Sequence, residues 1–70
     1  MMTYRKTGYG LRIKELRRDK CITQTELADK LGLVQADVSQ LEAGKRALTL
    51  DTAVEISKAL DVDLNDIVKG

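Results

Sequence analysis

Residues able to do polar chemistry gather in one stretch of this 70-residue chain, between Gln24 and Arg46. Within it a short predicted helix leaves Gln35, Ala36, Ser39 and Gln40 on or near its outer face, uncharged side chains that a helix need not expose for its own stability. A glutamine amide donates and accepts hydrogen bonds at once, and the cations Lys45 and Arg46 follow directly after. Catalysis has no comparable support. The chain has no His, so it offers no imidazole base, no Ser-His triad, no Cys-His pair and no His-ligated metal. Cys21, without a second Cys, forms no internal disulfide and joins no common zinc ligand set, so it reads as structural. The expectation is no enzyme, no metal and no cofactor. Tyr4 and Tyr9 are the only aromatic residues, too few for the stacking platforms that bind single-stranded nucleic acid.

The elements that must position these residues are helices. Tyr9, Ile13 and Leu16 fall at i, i+4 and i+7 with charges between them, which predicts a first helix over about Tyr9–Lys20. Thr23 precedes Glu26 by three, a capping box that starts a second helix over about 24–31, with Leu27, Ala28 and Leu31 inward and Gly32 as its stop. A third helix runs over about 35–43 on a stripe of only Val38 and Leu41 and ends at Gly44. Thr49 caps a fourth, with Leu50, Ala53, Ile56 and Leu60 inward, and Asp63 caps a short fifth carrying Leu64, Ile67 and Val68. Period-two alternation is absent, so the fold class is all-α: a compact five-helix domain over 9–70 behind a flexible basic arm, 1–8.

Net charge is +1, yet it divides into +4 over residues 1–30, zero over 31–50 and −3 over 51–70. Such a split can present a basic face to a polyanion, and it equally suits an ordinary solvated helical surface. The first six residues have no apolar core to make a signal peptide, no apolar run spans a membrane, and the lone Cys suits a reducing cytoplasm. Seventy residues leave no room for a separate ligand-sensing domain, so any switch is expected to act through partner binding, dimerisation or turnover.

Two short helices joined by a glycine-containing turn have helix-turn-helix spacing. Gln24-x-x-Leu27-Ala28-x-x-x-Gly32, Val38-Ser39 and Glu42-x-Gly44-Lys45-Arg46 resemble the Cro/phage-repressor (XRE-like) helix-turn-helix family. Gly10, Arg12, Ile13, Leu16 and Arg17, with the ending Leu60-x-Val62-x-Leu64-x-x-Ile67, fall at that family's spacings too, so the resemblance covers about residues 9–68. It implies a lambda-repressor-like fold whose third helix enters the DNA major groove, with dimers on two-fold symmetric sites. It also implies that Gln35, Ala36, Asp37, Ser39 and Gln40 read bases, that Gln24 touches phosphate and braces Gln35, that Lys45 and Arg46 hold the backbone, and that Arg17 pairs with Glu42. Arg12 and Arg18 would be surface charge or electrostatic steering. Three positions depart from the family. Val34 stands where a Ser or Thr caps helix 3, Cys21 where a left-handed Gly is usual, and Leu48 where Pro is common.

The expected function is sequence-specific binding of double-stranded DNA by a homodimer on a palindromic operator, as a transcriptional regulator and most simply a repressor. The dimer surface is expected at Leu64, Ile67 and Val68, on the reading that so short a helix is too brief to bury all three within its own domain. The rival is an antitoxin or anti-regulator module that uses the same fold on a protein partner, a toxin or an anti-repressor.

Overall fold

A computed structural model describes residues 7–68, with side chains from Tyr9 onward. The described residues form five helices and no strand: α1 (Thr7–Asp19), α2 (Gln24–Leu31), α3 (Gln35–Glu42), α4 (Leu50–Leu60) and α5 (Leu64–Val68). The chain is all-α as its periodicity predicts, with α2 and α3 as the helix-turn-helix pair. α1 starts at Thr7 and so takes in the last two residues of the expected arm. A glycine inside a helix costs about 1 kcal/mol relative to alanine, and the packed remainder of α1 outweighs that cost at Gly8. Residues 1–6 of the expected arm lie outside the described residues.

Helix ends follow local chemistry. Thr23 Oγ1 accepts the Glu26 N–H (3.0 Å), Glu26 Oε1 accepts the Thr23 N–H (2.8 Å), and Gly32 closes α2 at φ 72°. α3 is capped differently, because Val34 has no oxygen to offer. The Asp37 carboxylate accepts the Val34 N–H (3.3 Å), so only the reciprocal half of a capping box is present. Thr49 Oγ1 accepts the Thr52 N–H (3.1 Å) at the start of α4. Asp63 Oδ1 accepts the Asn65 N–H (3.4 Å) ahead of α5. Cys21 (φ 58°) and Asp61 (φ 57°) occupy left-handed positions after α1 and α4, which explains why the family's usual residue at the Cys21 site is a glycine.

The core is a cluster led by Ile13, Leu27, Val38, Ile56, Leu60 and Ile67. α3 packs on α1 and α2, α4 on α2 and α5, and α5 also touches α1. The α1–α3 contact is close enough to require glycine: a Cβ at Gly10 would stand 2.7 Å from the Glu42 carbonyl oxygen and nearer still to that of Leu41. Two expectations are corrected here. Leu50 is not inward but 57% exposed, because Leu48 in the preceding loop already fills the inward place. Ile67 is 0% exposed within its own domain, so the five-residue α5 does bury its central side chain and Ile67 presents nothing to a second copy. Leu64 and Val68 are only partly buried.

Candidate nucleic-acid interface

One polar relay ties α1 and α2 to the two ends of α3. Arg17 on α1 donates from Nε to Glu42 Oε2 (2.6 Å) and from Nη2 to Glu42 Oε1 (3.1 Å), a bidentate pair between the first helix and the last residue of α3. Both side chains are nearly out of solvent, 10% and 3% exposed. A third guanidinium donor, Nη1, reaches the Ile22 carbonyl (2.6 Å) at the turn before α2. Glu42 Oε1 also accepts from Gln24 Nε2 (2.9 Å), and Gln24 Oε1 accepts from Gln35 Nε2 (2.6 Å).

The polarity of this relay is dictated by its buried end. A carboxylate can only accept, so Gln24 must turn its amide nitrogen toward Glu42 and its oxygen toward Gln35. Gln35, exposed at the first position of α3, then gives one N–H to Gln24 and keeps its Oε1 and a second N–H. That remaining pair is the donor–acceptor set that matches the major-groove edge of adenine. A charge pair hidden between α1 and α3 thereby orients a surface amide two steps away.

The other surface residues of α3 are arranged less symmetrically. Ala36 and Gln40 are exposed, and Ser39 is partly buried. Asp37 lies on the same helix with its carboxylate 29% exposed and 2.6 Å from Arg46 Nη1. The Arg46 hydrogen bond, then the Val34 N–H, hold the Asp37 carboxyl below its ordinary range, more than its slight desolvation raises it. The segment between α3 and α4 carries Arg46 to this place: Gly44 turns at φ 76°, the Lys45 N–H bonds the Gln40 carbonyl (2.9 Å), and buried Leu48 anchors the far end. Lys45 is exposed.

Among the side-chain contacts that sequence reasoning missed, two fix the place of a cation. Arg46 is taken up by Asp37 on its own domain, a pairing between residues nine apart that no helical periodicity signals. Arg12, expected as surface charge or steering, donates from Nε to the Asp66 carbonyl (2.7 Å) and so ties α1 to α5. Among the described residues no group of three or more His, Cys, Asp or Glu could hold a metal ion, and no helix is long and apolar enough to cross a membrane.

This geometry has relatives. The family model described as helix-turn-helix matches residues 13–67, and the chain belongs to that family, the XRE type found among DNA-binding transcriptional regulators. The chain is 38% identical over 58 residues to the uncharacterized HTH-type transcriptional regulator YqaE of Bacillus subtilis (strain 168), a match covering 83% of this chain and 50% of that protein. It therefore spans about half the length of that relative. Among solved structures it superposes on the restriction-modification controller protein C.AhdI from Aeromonas hydrophila with a TM-score of 0.83 at 31% identity, covering 87% of this chain and 92% of that one. The P22 c2 repressor, solved in complex with a synthetic operator, aligns with a TM-score of 0.79 at 27% identity, covering 89% and 94% of the two chains.

Proposed function

We propose that this domain binds double-stranded DNA sequence-specifically, with α3 in the major groove, as a homodimer on a palindromic operator, and that it represses transcription by occluding a promoter. The observation that carries the reading is the Arg17–Glu42–Gln24–Gln35 relay, which pre-orients an exposed amide for a base edge. Gln35 would read adenine, Ala36, Ser39 and Gln40 would line the same face, and Asp37 would stand beside them with its carboxylate held on Arg46 and the Val34 N–H. Gln24 and Lys45 would meet phosphates that fix position without carrying sequence information. Likeness to an operator-bound repressor supports the same reading.

The second copy is proposed to meet this one near the C-terminal end. With Ile67 buried, the surface offered there is Leu50 beside Val68, which share a shallow apolar crevice with Leu48, Thr49 and Ala53, together with partly buried Leu64. Two-fold symmetry would then place the two α3 helices about 34 Å apart, one turn of B-DNA.

Selection of bound duplexes from a random pool at a stated salt concentration tests the reading. A palindromic consensus is expected. Gln35→Ala should relax specificity at one position by about 1–3 kcal/mol, whereas Lys45→Ala should weaken all sequences alike. A pool that shows no enrichment would sink the DNA reading and favour a protein partner.

A further inference from the structure

The Asp37–Arg46 pair is difficult to explain as a stability device. It lies at the surface, its side chains 29% and 45% exposed, where such pairs contribute little. Asp37 already has the role that α3 needs from it, since its second carboxylate oxygen accepts the Val34 N–H at a helix start that lacks a side-chain cap. That role needs no arginine. Conversely Arg46 lies just past the C-terminal end of the proposed reading helix, where a free guanidinium would meet phosphate, and its end is taken up by a carboxylate at 2.6 Å. An anionic oxygen that accepts a guanidinium N–H is also what a DNA phosphate would provide. The carboxylate stands where the competing ligand would bind.

We propose that Asp37 is a specificity-determining residue that acts through Arg46: it occupies Arg46 as an internal counter-ion and so withholds one phosphate contact from DNA of arbitrary sequence. This rests on the DNA-binding reading and deepens it. A phosphate contact made in any register raises affinity for every sequence alike, and so dilutes discrimination among competing sites. A domain that keeps one of its cations paired loses part of that sequence-independent attraction and leaves its base contacts a larger share of the total. Asp37 is a positioning residue, and the quantity that it sets is how many phosphates the domain neutralises when it binds.

The magnitude follows from counterion release. Each phosphate neutralised adds about −0.9 to the slope of log affinity against log salt, so one extra contact is worth about eightfold at 0.1 M salt and fades toward molar salt. Asp37→Asn is the variant to make, because the amide oxygen can still accept the Val34 N–H and α3 keeps its start, while the charge that holds Arg46 is gone.

The experiment measures binding to a random-sequence duplex across a salt series for wild type, Asp37→Asn, Arg46→Ala and the double variant, with helical circular dichroism checking that each is folded. Asp37→Asn should bind about eightfold more tightly at 0.1 M salt with a slope steeper by about one. In the Arg46→Ala background the same change should leave the slope as it was. An unchanged or weaker Asp37→Asn overturns the proposal. So does a gain that persists without Arg46, because the carboxylate would then act by direct repulsion of DNA. A wild-type domain that binds no duplex at low salt, in random or selected sequence, overturns the DNA-binding reading instead.

Discussion

Replacing Glu42 by leucine removes the carboxylate but leaves the Arg17 guanidinium where it was, 10% exposed and stripped of two hydrogen bonds. Removing one member of a buried pair costs about 3–5 kcal/mol, mostly as the penalty of the uncompensated charge that stays behind. The two single losses should not be equal. After Glu42→Leu, Arg17 keeps its bond to the Ile22 carbonyl, which offsets part of the penalty. Arg17→Met strands the Glu42 carboxylate, 3% exposed, with only the Gln24 amide as donor. It also takes the side-chain donor from Ile22, worth about another 1 kcal/mol. The expected order of cost is therefore Arg17→Met, then Glu42→Leu, then the double variant, whose apolar side chains leave no charge to strand. Removing both should cost less than removing either.

Urea unfolding followed by helical circular dichroism, at neutral pH and fixed salt, gives the cycle. A domain this small has only a few kcal/mol of stability to lose, so the single variants should melt close to room temperature while the double stays folded. The coupling energy should exceed the larger of the two single losses, about 3 kcal/mol or more. Single losses that simply add to the double within about 0.5 kcal/mol would refute the reasoning, because they would mean that the two side chains act as independent surface charges.

Gly10→Ala should destabilise by about 1–3 kcal/mol despite the better helix propensity of alanine, since the new Cβ meets backbone oxygens at the end of α3 that have no room to give; a melting curve decides the sign. Val34→Thr should raise stability by about 1 kcal/mol, because Val34 is a 63% exposed residue with no packing to lose and the hydroxyl would supply the missing cap; an unchanged urea midpoint would count against it. The Asp37 carboxyl is held below its ordinary range in the folded chain, so its contribution is present above the unfolded carboxyl's range and is lost as the pH falls through the depressed folded value. Acid unfolding of Asp37→Asn should accordingly be less steep in that window than that of wild type, and coincident curves would contradict the assignment.

Much of this molecule was legible in the sequence because its signals act within one helical turn. The Thr23–Glu26 box, the Gly32 stop and the Thr49 cap bind atoms three or four residues away, so residue type and spacing suffice to place the ends of α2 and the start of α4. The Arg17–Glu42 pair and the Gln24–Gln35 contact stand where the family resemblance put them. What tertiary structure alone decided lies between elements. A five-residue helix has too few turns to show a stripe, so which of Leu64, Ile67 and Val68 is hidden depends on how α5 meets α1 and α4, and that contact buries Ile67 completely. Leu50 carries the right residue type and spacing for the core, yet Leu48 reaches the place first because the loop before α4 turns it inward. Arg12 finds a carbonyl 54 residues away and Arg46 a carboxylate nine residues back across the end of α3. Such partners are set by the path of the chain through space, because charged side chains are long and pair with whatever acceptor the packing brings within reach.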